Sequence, residues 1–170
     1  MTGRKSSIRR RSSARLAAVQ ALYQIDMSGA GVEAALRDQA RRLEDNGSGF
    51  EGSREQDLDE ALLADLVHGV GRRRQEIDAL VGSTLSGGWT LDRLEVVLRA
   101  ILRAGTYELL ARPDIDAPVT INEYVDLAKA FFEGGEPKLV NGVLDRLAAT
   151  LRPPDAGGPA GSGRDGQEDG

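Results

Sequence analysis

The sequence predicts an all-α protein of two helical subdomains, and three observations carry that prediction. Apolar residues recur at helical spacing along most of the chain, and strict two-residue alternation is absent. The interruptions are short and rich in glycine or proline, as helix ends are. A composition of 40% hydrophobic and 29% charged residues over 170 positions is that of an ordinary globular chain, with room for one compact helical domain or two small ones sharing a core.

Residues 1–11 read as a basic, disordered arm. Ser12 or Ser13 can then cap a first helix running to about Met27, with Leu16, Val19, Leu22 and Tyr23 as its apolar stripe and Arg15 at the stripe's edge. Gly29 and Gly31 break it. A second helix over about 32–45 carries Val32, Leu36 and Leu43 on one side, and the glycine-, serine- and charge-rich stretch 46–56 reads as an exposed loop. A long third helix over about 57–81 buries Leu58, Leu62, Leu66, Val70, Ile77, Leu80 and Val81, with Gly69 and Gly71 as points of bending.

The segment from Ser83 to Gly88 is the best internal boundary, dividing an N-terminal subdomain (12–82) from a C-terminal one (83–152), and Trp89 is expected to pack just beyond it. From Thr90, a plausible cap, the pattern continues to about Arg112, where Pro113 stops it. Thr120 and Glu123 have capping-box spacing, which predicts a helix over 121–132 packed through Ile121, Tyr124, Val125, Ala128, Phe131 and Phe132. Pro137 suits the first turn of a last helix to about Leu151, with Leu139, Val140, Val143, Leu144 and Leu147 as its apolar set. Pro153 and Pro154 end it, and 153–170 reads as a disordered acidic tail.

Chemistry is mostly excluded. With no cysteine there is no disulfide framework, thiolate metal site or thiol nucleophile, and His68, the single histidine, has no paired ligand and reads as a structural or surface residue. Gly134-Gly135-Glu136-Pro137-Lys138 follows a helix instead of a strand and reads as a turn, not a phosphate loop. The acids are scattered at solvent-face spacings. No catalytic residue, cofactor or metal is expected. No apolar run approaches the roughly 18 residues that span a bilayer, so the expected location is cytoplasmic.

Charge is the informative feature. The formal net charge is −5, yet residues 1–15 carry Arg4, Lys5, Arg9, Arg10, Arg11 and Arg15 without an acid, which leaves −11 on the other 155 positions. A cationic arm on an acidic body is a spatially restricted polyanion site. The same stretch also fits a solubilising tail. A targeting peptide fits less well, because no apolar stretch with a small-residue cleavage site follows and the arm runs straight into a core-like helix.

Four blocks then point to a family. They are Arg9-Arg10-Arg11-Ser12-Ser13-Ala14-Arg15 leading into Ala18-Val19-Gln20-Ala21-Leu22-Tyr23, then Leu102-Arg103 with Tyr107-Glu108-Leu109, then Ile121-Asn122-Glu123 with Leu127-Ala128-Lys129, and last Val140-Asn141-Gly142-Val143-Leu144-Asp145. In order and spacing they resemble the NusB transcription-antitermination family across about 9–152. The resemblance implies a seven-helix fold in two subdomains, no catalysed reaction, and binding of single-stranded boxA RNA of ribosomal-RNA operon leaders with NusE, the ribosomal small-subunit protein, in an RNA polymerase antitermination complex. It implies an RNA surface of Arg9, Arg10, Arg11, Arg15, Arg99, Arg103, Lys138 and Leu139. Many relatives carry phenylalanine where Leu139 stands, and leucine can touch a base but cannot stack on it.

Other classes weigh less. A NusB-like domain also occurs fused to an RNA cytosine methyltransferase, but no glycine-rich strand-to-helix segment is present. A helix-turn-helix DNA binder would concentrate its cations on a recognition helix. A helical protein-interaction module without direct RNA contact is the alternative reading, and monomer and homodimer both remain open.

Overall fold

The computed structural model describes residues 2–47 and 58–153. Among them are seven α-helices and no strand: α1 (Thr2–Ser28), α2 (Val32–Gly47), α3 (Glu60–Arg72), α4 (Arg74–Thr84), α5 (Val96–Ala111), α6 (Ala117–Phe131) and α7 (Glu136–Leu151), with one 3₁₀ turn at Leu91–Arg93 before α5. Most of the expected loop over 46–56, from residue 48 on, lies outside the described residues. So does the expected acidic tail beyond Pro153.

Helix α5 is the axle of the fold, packed by α1, α3, α4, α6 and α7. Small residues at Ala100, Ala104 and Gly105 let its neighbours approach closely. A Cβ at Gly105 would lie 2.9 Å from Leu144 on α7 and 3.2 Å from Tyr124 on α6. Leu98, Ile101, Leu102 and Leu109 fill the space between these helices.

The stretch expected as a disordered arm lies within α1, which is one helix from Thr2. Apart from Gly3 its first half holds no helix breaker, and a helix nucleated on the core propagates outward at little cost per residue. The expected apolar stripe also shifts. The buried face consists of Ala14, Ala17, Ala18, Val19, Ala21 and Leu22, while Leu16 and Tyr23 remain 37% and 39% exposed. Four alanines allow α1 to sit tight against α3 and α5, and that close seam outweighs the larger side chains. Trp89, expected to pack, is exposed, and it follows Gly87 and Gly88, which take left-handed φ values of 68° and 79°.

The expected helix over 57–81 is two helices that change direction at Arg73 (φ −110°, ψ 21°). Backbone bonding continues across the corner, from Arg73 N–H to Gly69 O at 3.0 Å and from Ile77 N–H to Arg73 O at 2.9 Å. Gly69 is required for packing against α5, since a Cβ there would lie 2.0–2.4 Å from the ring and hydroxyl atoms of Tyr107. The Tyr107 hydroxyl donates to Asp65 at 2.7 Å, so the ring cannot retreat without breaking that bond. Gly69→Ala is therefore expected to cost about 1–3 kcal/mol, measured by urea or thermal unfolding.

The expected capping box is also corrected. Helix α6 starts four residues earlier, at Ala117, with Pro118 in its first turn. Thr120 is fully buried inside the helix, and neither Thr120 nor Glu123 caps it. Both side chains instead reach across to other helices.

Candidate nucleic-acid and partner interface

A 27-residue helix is about 40 Å long, so α1 extends past the body that holds it. Residues Gly3 to Arg10 are exposed. Three ties fasten the helix where it meets the body. Asp59 N–H donates to the Arg10 carbonyl at 3.1 Å, with the Arg10 guanidinium 3.5 Å from Leu58 O. The Ser12 hydroxyl donates to Glu123 Oε2 at 2.8 Å. Arg15 then enters the core. Of the expected RNA residues on this helix, Arg9 and Arg10 are exposed and Arg11 is half-buried, facing the field of Asp114, whose carboxyl is held below its usual range chiefly by a hydrogen bond from Arg112.

Arg15, expected at the RNA surface, lies in the core. It is 2% exposed, and its Nε donates to both oxygens of Glu108 at 3.1 and 3.0 Å while Nη2 donates at 2.6 Å. Glu108, fully buried on α5, also accepts from Thr120 at 3.0 Å and Tyr124 at 2.8 Å. Burial, with the Glu108 carboxylate beside it, pushes the Tyr124 phenol well above its usual range, so it stays a donor. One carboxylate thereby joins α1, α5 and α6. A guanidinium so enclosed has no free edge for a phosphate.

Arg103, also expected at the RNA surface, is likewise buried. It is 5% exposed and donates to Asp78 on α4 at 2.8 and 3.1 Å and to Asp26 on α1 at 2.7 Å. Arg99 is half-buried, with its Nε enclosed and lacking a hydrogen-bond partner. Lys138 is exposed in the first turn of α7, a helix that packs on α6, α5 and α4, and Leu139 is half-buried against the core. The eight expected residues thus divide into exposed cations at Arg9, Arg10 and Lys138, half-buried groups at Arg11, Arg99 and Leu139, and two core ion pairs. His68 is partly exposed, 3.1 Å from Glu33.

Beyond the expected residues, the structure shows an apolar surface. Met27 is 59% exposed and Phe131 41%, and with Val19, Tyr23 and Val97 they line a groove edged by Arg42. By helical phase Lys5, Arg9, Leu16, Tyr23 and Met27 share the outward face of α1. That face is cationic in its first half and apolar in its second. The signal was present in the alanine spacing: once Ala14, Ala17, Ala18 and Ala21 are recognised as the tight face, Tyr23 and Met27 must point outward.

The family model described as "NusB family" matches residues 12–149. A transcription antitermination protein NusB of Bartonella quintana (strain Toulouse) is 49% identical over 144 residues, which cover 84% of this chain and 90% of that one. The solved structure of T. maritima NusB superposes with a TM-score of 0.70 at 31% identity, covering 84% of this chain and 93% of the other. A chain from the crystal structure of antitermination factors NusB and NusE in complex with dsRNA gives a TM-score of 0.68 at 26% identity, covering 84% and 98%.

Proposed function

This chain belongs to the NusB family, and on that premise we propose that it is a cytoplasmic, RNA-binding transcription antitermination factor that works without catalysing a reaction. With NusE it binds the boxA RNA of ribosomal-RNA operon leaders and joins an RNA polymerase antitermination complex. The observation that carries this reading is the divided outward face of α1. Lys5 and Arg9 offer charge to a phosphate backbone, and Leu16, Tyr23 and Met27 offer apolar surface to a protein on the same helix. A partner seated on the second half lies beside RNA bound to the first.

Charge arithmetic gives the partner its role. A net −11 outside the first 15 residues opposes RNA, and of the six cations counted in those residues Arg15 is buried in the core while Arg9 is exposed. The protein alone is therefore expected to bind a boxA oligonucleotide weakly, and much more tightly once NusE is added, in gel shifts at fixed salt. Single-stranded and duplex forms of the oligonucleotide are titrated side by side. Tyr23→Gln combined with Phe131→Gln is expected to abolish the gain from NusE while leaving the affinity of the free protein in place. Equal RNA affinity with and without NusE would overturn the reading.

A further inference from the structure

The base of the projecting arm is held by a side-chain contact between α1 and α6. Ser12 is the last residue of α1 tied from the α6 side before the helix runs free, and its hydroxyl has one proton for two acceptors: Ile8 O at 3.1 Å and Glu123 Oε2 at 2.8 Å. The carboxylate is closer and charged, so it takes the proton. Glu123 is itself steadied by the Arg15 guanidinium, with Nη1 at 3.6 Å and a side-chain exposure of 22%. On the opposite side, the Arg10 carbonyl receives the Asp59 amide. The helix is gripped between α3 and α6 at this level.

We propose that Ser12 and Glu123 are positioning residues for RNA binding, fixing the direction in which the cationic arm leaves the body. The proposal rests on the RNA-binding reading of the arm. Residues 2–9 lie beyond the last backbone tie and form a lever of about 12 Å, whose tip moves by about 4 Å for a swing of roughly 20°. Arg4, Lys5 and Arg9 ride on that lever. With the grip intact they meet successive phosphates already aligned. With it released, the order must be restored at the expense of binding.

Glu123 makes the test unusually sharp, because electrostatics and positioning predict opposite signs. An acid beside a cationic arm repels RNA, so its removal by charge alone would tighten binding. Positioning predicts that Glu123→Ala weakens binding of a boxA-type single-stranded RNA about three- to tenfold, despite the lost negative charge. Glu123→Gln removes the same charge but keeps an oxygen for the Ser12 hydroxyl, and is expected to bind at least as tightly as the parent. Ser12→Ala deletes the same hydrogen bond without removing the charge, so it is expected to weaken binding at least as much as Glu123→Ala, and the double alanine variant no more than Ser12→Ala alone.

All variants are measured as the full chain, with melting curves alongside, and Ser12→Ala at the edge of the body tests the pair if Glu123→Ala fails to fold. Equal affinities for the Ala and Gln variants at 123, or tighter binding by Glu123→Ala, would overturn the positioning role. Arg9→Ala in the same assay separates the two levels of inference. If it leaves affinity unchanged, the RNA reading of the arm fails. If it weakens binding while the Ser12 and Glu123 variants do not, only the positioning role fails.

Discussion

Arg15→Ala is expected to cost about 3–5 kcal/mol of unfolding free energy, the range for removing one partner of a buried ion pair. The loss of attraction is the smaller part. Glu108 is fully buried and accepts three hydrogen bonds from Arg15, so the variant strands a carboxylate with only Thr120 and Tyr124 as donors. The desolvation penalty of that charge then has nothing to offset it. Glu108→Ala is expected to cost a similar amount, because the Arg15 guanidinium would retain only Glu123 at 3.6 Å. Combining Arg15→Met with Glu108→Gln removes both charges of this pair, and its loss should be smaller than the sum of the two single changes. Urea unfolding gives all of these values. A cost below about 1 kcal/mol for Arg15→Ala would show that the pair is not the enclosed one described.

These same side chains show what local reading could and could not reach. Helical periodicity located the bodies of α2, α5 and α7 because each follows one repeating pattern, and Gly29, Pro113 and Pro137 act on their own backbone. It offered Gly69 and Gly71 as bending points, and the break falls at Arg73, two residues beyond; it could not show why Gly69 is needed, because Tyr107, which excludes a Cβ there, is 38 positions away. Thr120 and Glu123 have the spacing of a cap, but their partners are Glu108 and Ser12, and only the packing of α1, α5 and α6 brings those together. Arg15 sits in an arginine cluster and matches a family block, yet burial separates it from its neighbours. Charge in a sequence says that a polyanion could be met. Which cations remain free to meet it is decided by carboxylates far away along the chain, Glu108 for Arg15 and Asp26 with Asp78 for Arg103.

Replacing Arg9, Arg10 and Arg11 together with alanine is expected to separate RNA affinity from folding. Arg9 and Arg10 are exposed, Arg11 is half-buried, and their side chains meet the body through the 3.5 Å approach of Arg10 to Leu58 O and the field of Asp114 on Arg11. The backbone bond from Asp59 to the Arg10 carbonyl survives the substitution. Alanine also favours the helix at each position. Stability should therefore stay within about 0.5 kcal/mol of the parent. RNA binding should not. On a single strand each phosphate contact contributes roughly 0.7 to the salt slope, so losing three lowers the slope by up to about 2 and the affinity at 0.1 M salt by up to about a hundredfold. The effect should shrink as salt rises, because released counterions lose their entropic advantage in a concentrated bath. Titrations at several salt concentrations, with a melting curve for each protein, measure both quantities. An unchanged slope with an unchanged melting curve would leave the arm as a solubilising helix, and the apolar groove of Tyr23, Met27 and Phe131 would then carry the function as a protein-interaction surface.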